Sequence, residues 1–165
     1  MKPILIAEDD PSDLELLARL CKKVRILNPL HVVHDGRRAI DYLQGAREYS
    51  DRVRYPFPAL LFLDLKMLVP GSEVLRWMRD HPVSESVAVV VMTDSANLRD
   101  INEAYKLGAH SFLMKPIAEE DLLNMIRYLK TIRTESGDGG RRIEVVAHST
   151  EIVVPKSATQ TRPQI

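Results

Sequence analysis

Five side chains able to do polar chemistry stand directly after apolar runs. Glu8 and Asp9 follow Pro3–Ala7, Asp64 follows Ala59–Leu63, Thr93 follows Val87–Met92, and Lys115 follows Ser111–Met114. When such runs are neighbouring strands of a parallel sheet, their carboxyl ends share one crevice, which is where open α/β sheets bind ligands. Three carboxylates, a hydroxyl and an ammonium then meet. Crowded carboxylates cannot all stay ionised unless a cation neutralises them. An oxygen-only donor set selects a hard divalent ion, Mg2+ before Zn2+ or Cu2+. Such an ion, with Lys115 and Thr93, supplies what the oxygens of a phosphoryl group need. A carboxylate held beside it can act as nucleophile and carry an acyl phosphate.

Singly, these residues say little. An acidic run such as Glu8-Asp9-Asp10 is more often a solvated cap than a metal site, Thr93 alone could cap the next helix, and Lys115-Pro116 alone is uninformative. Their arrival in order at the ends of four separate strands is the signal.

The elements needed to position them are legible. Leu60–Asp64 is the pivot: four apolar residues ending in a carboxylate, long enough for a strand buried on both faces and too short for an independent helix. Pro3–Ala7, Leu30–His34, Val87–Met92 and Ser111–Met114 read as four further strands. Between and after them, helices are predicted from Pro11-Ser12-Asp13 to about Arg25, over Arg37–Leu43, Glu73–Asp80, Asn97–Leu107 and Glu119–Thr131. Pro, Ser and Asp suit the first helix's start, and Gly45 and Gly108 suit helix ends. Five strands alternating with five helices specify an α/β fold, a doubly wound five-stranded parallel sheet. The stretch Ala46–Pro58, with Arg47, Arg52 and Arg54, is expected to be a long surface loop with room for one helical turn.

Composition sets the limits. The 165 residues fit one domain with an arm or tail, and 45% hydrophobic content suffices for one core. With 23 basic against 23 acidic residues, nothing marks a general nucleic-acid or membrane binder. Cys21 is the single cysteine, so an internal disulfide and a cysteine-based zinc site are excluded, and its apolar helical face points to burial. No run approaches the roughly 18 apolar residues of a membrane span and no signal peptide opens the chain, so a cytoplasmic location is expected. The histidines fall in no ligand spacing, and the methionines read as core filler. Trp77, one position off the inward stripe of its helix, is expected to be partly exposed.

The set Glu8-Asp9, Asp64, Thr93 and Lys115-Pro116 resembles the receiver domain of two-component response regulators, a CheY-like, flavodoxin-like (βα)5 fold, over about residues 3–132. The resemblance implies that Asp64 accepts a phosphoryl group from a sensor histidine kinase. It implies Mg2+ surrounded by Glu8, Asp9, Asp64 and the backbone carbonyl of Lys66. Thr93 and Lys115 would each hold a phosphoryl oxygen, Phe112 would be the aromatic switch residue that follows Thr93, and Lys115-Pro116 is a cis-peptide candidate. Phe112 has a bland reading as well, since a phenylalanine in a strand is usually core. The chain would be a phosphorylation switch that assists its own phosphoryl transfer and dephosphorylation without being an enzyme.

Two departures from the family pattern stand out. Leucine occupies position 68 where the family usually has proline, with Val69-Pro70-Gly71 shortened, and Asp94 follows Thr93 where a small residue is frequent. They favour the alternative of an unphosphorylated pseudo-receiver that serves as a docking scaffold; the intact acidic pair, threonine and lysine oppose it. A phosphatase-like hydrolase ranks lower, because Leu65-Lys66 supplies no second acid beside the nucleophile. The long Ala46–Pro58 insertion resembles regulators paired with bacterial phytochromes.

The expected division is a receiver over 1–134 and an extension over 135–165. Glu135–Arg142 reads as a linker, and Ile143–Val146 and Ile152–Val154 as two short strands before a disordered end. Those strands could form a β arm that pairs with a second protomer; the plain alternative is a flexible extension. A homodimer through the face of the fourth helix, fifth strand and fifth helix is the other route, with Leu98, Ile101, Tyr105 and Tyr128 as candidate contacts. No helix-turn-helix pattern follows the receiver, so no direct DNA binding is expected.

Overall fold

The computed structural model describes residues 1–94 and 97–146. In chain order the elements are β1 (Ile4–Ala7), α1 (Pro11–Lys23), β2 (Leu30–Val33), α2 (Gly36–Gln44), β3 (Leu60–Asp64), α3 (Gly71–Arg79), β4 (Ala88–Thr93), α4 (Leu98–Lys106), β5 (Ser111–Met114), α5 (Glu119–Tyr128), β6 (Ile132–Gly137) and β7 (Gly140–Val145). The first five strands form one sheet in the order β2-β1-β3-β4-β5, and every pair is parallel.

Strand periodicity explains the two layers. Ile4, Ile6, Leu60, Phe62, Val90, Met92 and Leu113 face α1 and α5, where they meet Leu17, Leu20, Cys21, Leu122, Met125 and Ile126. The intervening Leu5, Ala7, Leu61, Leu63, Val89, Val91 and Phe112 face α2, α3 and α4, meeting Ile40, Leu43, Val74, Leu75 and Ile101. The central strands β1, β3 and β4 are covered on both faces and need no polar alternation, so they read as apolar runs, whereas the edge strand β2 contains His31 and is only partly buried. All five residues of β3, Asp64 included, are buried.

The helix ends are set by local chemistry. The α1 cap is Asp10, one residue before the Pro-Ser-Asp start read from sequence: its Oδ1 accepts from the backbone N–H of Ser12 at 2.8 Å and Asp13 at 3.0 Å. Asp35 caps α2 by accepting from Arg38 N–H at 2.7 Å, and Gly45 closes that helix in the left-handed region at φ 71°. The insertion after α2 contains a 3-10 turn, Arg47–Ser50, and it is anchored. Arg52 donates to the carbonyls of Tyr42 and Leu43, both at 2.8 Å, satisfying the end of α2, while Tyr49 is buried and Tyr55 and Phe57 pack on the core.

The carboxyl-terminal part differs from expectation. The last helix stops at Tyr128 rather than Thr131, and the stretch read as a linker is an antiparallel hairpin, β6 with β7. Asp138 and Gly139 form its turn, both with positive φ (50° and 79°), as a two-residue hairpin with the twist of its strands requires. Within the stretch read as a linker, Arg142 pairs with Asp138 at 2.7 Å and stands opposite Glu135, and on the same outer face Arg133 pairs with Glu144 at 2.7 Å directly across the strands. The inner face places Ile132 and Ile143 in the α1/α5 core. Asn28 ties the hairpin down: its side-chain amide donates to the Ile143 carbonyl at 2.9 Å and its Oδ1 accepts from Ile143 N–H at 2.7 Å. The expected strand Ile143–Val146 is thus the end of β7, which stops at Val145, with 143–145 paired to 132–134; Ile152–Val154 lies outside the described residues. Among the described residues no helix is long and apolar enough to cross a membrane.

Of the candidate contacts on the α4–β5–α5 face, Leu98 and Tyr128 are exposed, whereas Ile101 is buried and Tyr105 packs on the core. Trp77 is half-buried and stacks on His81, with ring centroids 4.2 Å apart.

Candidate functional site

The parallel register places the ends of β1 and β3 side by side, with Ala7 opposite Leu63. The next residues, Glu8 and Asp9 on one strand and Asp64 on the other, therefore converge. Glu8, Asp9 and Asp64 each offer a carboxylate oxygen, and these atoms lie within 4.8 Å of one another. Glu8 and Asp64 are buried and Asp9 is exposed. Among the described residues this is a group that fits a hard divalent ion by the chemistry of its donors, which are all oxygens.

Lys115, just past β5, reaches into the same group. Its Nζ donates to Glu8 Oε2 at 2.6 Å and to Asp13 Oδ2 at 2.9 Å, and lies 3.3 Å from Asp64 Oδ2. Burial alone would pull the ammonium's pKa down, but the hydrogen bonds to Glu8 and Asp13 and the charge of Asp64 outweigh it and hold the group well above its ordinary value. Glu8 moves the other way from an ordinary carboxylate: burial pushes its pKa up, and the Lys115 hydrogen bond only partly offsets that. Three carboxylates around one ammonium, with Asp9 beside Glu8 and Asp64, leave a net negative site, the electrostatic condition for binding a cation.

Backbone groups orient the carboxylates. Glu8 Oε1 accepts from Asp10 N–H at 3.0 Å, and Asp64 Oδ1 accepts from Lys66 N–H at 3.1 Å. The loop after β3 is braced by its glycine. A Cβ on Gly71 would stand 2.3 Å from the Asp64 carbonyl oxygen, so only glycine lets α3 begin this close to the pivot. Val69 O also accepts from Gly36 N–H at 3.1 Å, tying that loop to the start of α2.

Thr93 ends β4 and is buried; its carbonyl accepts from Lys115 N–H at 2.8 Å. With Leu65, Lys66, Ser72, Asp100, Glu103 and Ala104 it lines a cleft of about 180 Å³ between α3 and α4. Lys66 Nζ and Asp94 Oδ1 form an exposed ion pair at 2.7 Å, and that ammonium holds the Asp94 carboxyl below the usual range. Phe112 is buried under α4, its ring edge-to-face with Tyr105 at 6.0 Å. The Lys115–Pro116 peptide is cis.

The residue that sequence reasoning missed is Asp13, read there as part of a helix start. A signal existed: it stands four residues after Asp9, in the first turn of the helix leaving β1. Helical Cα–Cβ bonds tilt toward the amino terminus, so an acid at that position leans back over the strand ends.

The comparisons with known proteins point to one family. The response regulator receiver domain family matches residues 4–127. Response regulator Rcp1 of Synechocystis sp. is 32% identical over 136 residues, covering 82% of this chain and 90% of its own length. A solved structure of the Mn2+-bound form of Rcp1 superposes with a TM-score of 0.66 at 30% identity, covering 82% of this chain and all of that one (100%). The bacteriophytochrome response regulator AtBRR gives a TM-score of 0.74 at 32% identity, over 84% of this chain and 99% of its own. The phosphorylated cyanobacterial phytochrome response regulator RcpA gives 0.65 at 28%, over 75% and 87%. On its sequence, its sheet order and the convergence of Glu8, Asp9, Asp64, Thr93 and Lys115, the chain belongs to the response regulator receiver domain family.

Proposed function

We propose that the chain is a phosphorylation switch whose phosphoacceptor is Asp64, served by a sensor histidine kinase. The observation that carries this is the Asp64 carboxylate itself: buried, ringed by Glu8 and Asp9, and 3.3 Å from the Lys115 ammonium. In the transfer, an Asp64 carboxylate oxygen attacks the phosphorus of a phosphohistidine. The O–P bond forms as the N–P bond breaks, and the leaving imidazole nitrogen keeps the bonding electrons. Glu8, Asp9, Asp64 and the Lys66 carbonyl would hold Mg2+, which when bound neutralises charge on the phosphoryl oxygens. Lys115 stabilises another of those oxygens, and the Thr93 hydroxyl takes a third. Moving Thr93 toward the phosphoryl group opens space beside α4 into which Phe112 turns, changing the α4–β5–α5 surface. Hydrolysis of the acyl phosphate at the same site resets the switch, so the chain assists both steps.

The relatives named for phytochromes support a bacterial phytochrome as the kinase, and the setting proposed with it is cytoplasmic. The division proposed is a receiver over 1–134 and an extension over 135–165; the β6–β7 hairpin crosses that boundary and folds back on the α1/α5 side. Output passes through protein contacts, including a homodimer through the α4–β5–α5 face, where Leu98 and Tyr128 are exposed, or through the arm.

Intact-mass spectrometry after incubation with Mg2+ and acetyl phosphate, or with a phosphorylated histidine kinase, tests the reading. One phosphate adduct on the wild type, absent from Asp64→Asn and from samples with EDTA, is expected. No adduct from either donor would move the assignment to the docking scaffold.

A further inference from the structure

We propose that Asp13 is a positioning residue for Lys115, keeping the ammonium over Asp64 when a divalent ion claims the other carboxylates. The inference deepens the phosphoacceptor reading and rests on it for its kinetic consequence.

Three observations carry it. A lysine ammonium has three N–H donors. Here two of them are given to Glu8 at 2.6 Å and Asp13 at 2.9 Å, and the ammonium lies 3.3 Å from Asp64, so Asp13 takes one of the two hydrogen bonds that hold it. Two of those partners, Glu8 and Asp64, belong with Asp9 to the group that fits a metal; Asp13 does not. Finally, Asp13 has no capping task, since Asp10 already accepts from the N–H groups of Ser12 and Asp13.

The sequence of events follows from charge. Were Glu8 and Asp64 to hold a divalent ion, their charge would be shared with it and both would hold Lys115 more weakly. A lysine on a flexible four-carbon stem would then gain entropy by leaving. Asp13 prevents that. It stands on the first turn of α1, where the helix dipole favours an ionised carboxylate, and its backbone is fixed by the Asp10 cap. One N–H stays on Asp13 while the donor freed from Glu8 points at the site that the phosphoryl oxygens enter. Asp13 therefore acts on the reaction only through Lys115.

A double-mutant cycle separates this from an ordinary surface ion pair. Rates of adduct formation from acetyl phosphate at saturating Mg2+ are compared for wild type, Asp13→Ala, Asp13→Glu, Lys115→Met and Asp13→Ala/Lys115→Met, with folding checked by circular dichroism. Loss of one charge-assisted, partly exposed hydrogen bond predicts a slowing of about tenfold in Asp13→Ala, with partial rescue in Asp13→Glu. In the Lys115→Met background, removing Asp13 should cost nothing more. A rate for Asp13→Ala within about twofold of wild type, or an equal loss in both backgrounds, overturns the proposal. The Lys115 ammonium signal in nitrogen-15 NMR, recorded with Mg2+ alone, gives an answer independent of phosphorylation. It should be slowly exchanging in the wild type and lost to exchange in Asp13→Ala. If the wild type takes no adduct, the phosphoacceptor reading fails by itself, and this signal decides Asp13: loss in the variant upholds the positioning role, and an unchanged signal overturns it.

Discussion

Replacing Lys115 by methionine removes the one ammonium from a group of four carboxylates while roughly preserving the volume of its stem. In the structure the Glu8 side chain is only 1% exposed and that of Asp64 5%, and both lie within 3.3 Å of Nζ. Breaking a buried ion pair by removing one partner costs about 3–5 kcal/mol, because the remaining charge is left uncompensated. The cost here is bounded by protonation: Glu8, whose pKa burial already raises, takes up a proton rather than remain charged. We therefore expect a loss of about 3 kcal/mol at pH 7.5 in EDTA, at the lower end of that range. The sign with pH follows from linkage. In the variant the folded state binds more protons than the unfolded chain, so its stability falls as pH rises and recovers as pH drops below the raised carboxyl pKa. Mg2+ supplies the missing cation and should stabilise the variant more than the wild type. Urea unfolding followed by circular dichroism, at pH 7.5 and pH 5.5, with EDTA or Mg2+, reads all three effects. A variant as stable as wild type in EDTA at pH 7.5, or one that Mg2+ stabilises no more than wild type, would refute the electrostatic account of the site.

Other outcomes follow from single features. Ile143→Ala should lose about 2–5 kcal/mol in urea unfolding, because its 1% exposed side chain joins the hairpin to the α1/α5 core; a loss below about 1 kcal/mol would mean that the hairpin is not part of that core. Gly71→Ala should cost at least about 2 kcal/mol and weaken Mn2+ binding measured by paramagnetic resonance, since its Cβ would press on the Asp64 carbonyl; wild-type affinity would show that the loop yields freely. Cys21, 1% exposed and with its thiol pKa pushed up to about 12 by burial, should resist a thiol reagent at pH 8 in the native state and react at once in urea. Fast native labelling would contradict its placement on the buried face of α1.

The sheet was legible because its central strands are short apolar runs buried on both faces and followed by polar residues; the edge strand β2, half-buried and carrying His31, gave a weaker signal. Glu8, Asp9, Asp64, Thr93 and Lys115 stood at those ends, so a fold argument was also a site argument. The hairpin was not legible for a physical reason: Ile132 continues the helical spacing of Leu122, Met125, Ile126 and Leu129, and only the extended backbone at Leu129 breaks the helix. Its outer-face charges looked like a solvated linker, yet they are matched across the strands, and Asp138-Gly139 is a strong hairpin signal in such a setting. Asp13 was concealed by its own plausibility as a helix-start residue. The Ala46–Pro58 insertion showed its helical turn and its arginines in the sequence, but not that Arg52 would terminate α2 and Tyr49 enter the core, because both depend on where the chain returns in space.

The most direct test of the phosphoacceptor assignment is to trap the acyl phosphate chemically and read its position. Protein incubated with Mg2+ and a phosphoryl donor is reduced with borohydride, which converts an aspartyl phosphate to homoserine, and is then digested and sequenced by tandem mass spectrometry. Homoserine at residue 64, dependent on both Mg2+ and donor, is the predicted result. Homoserine at Asp9 or another aspartate instead, or none in a sample that carries a phosphate adduct, would contradict the assignment.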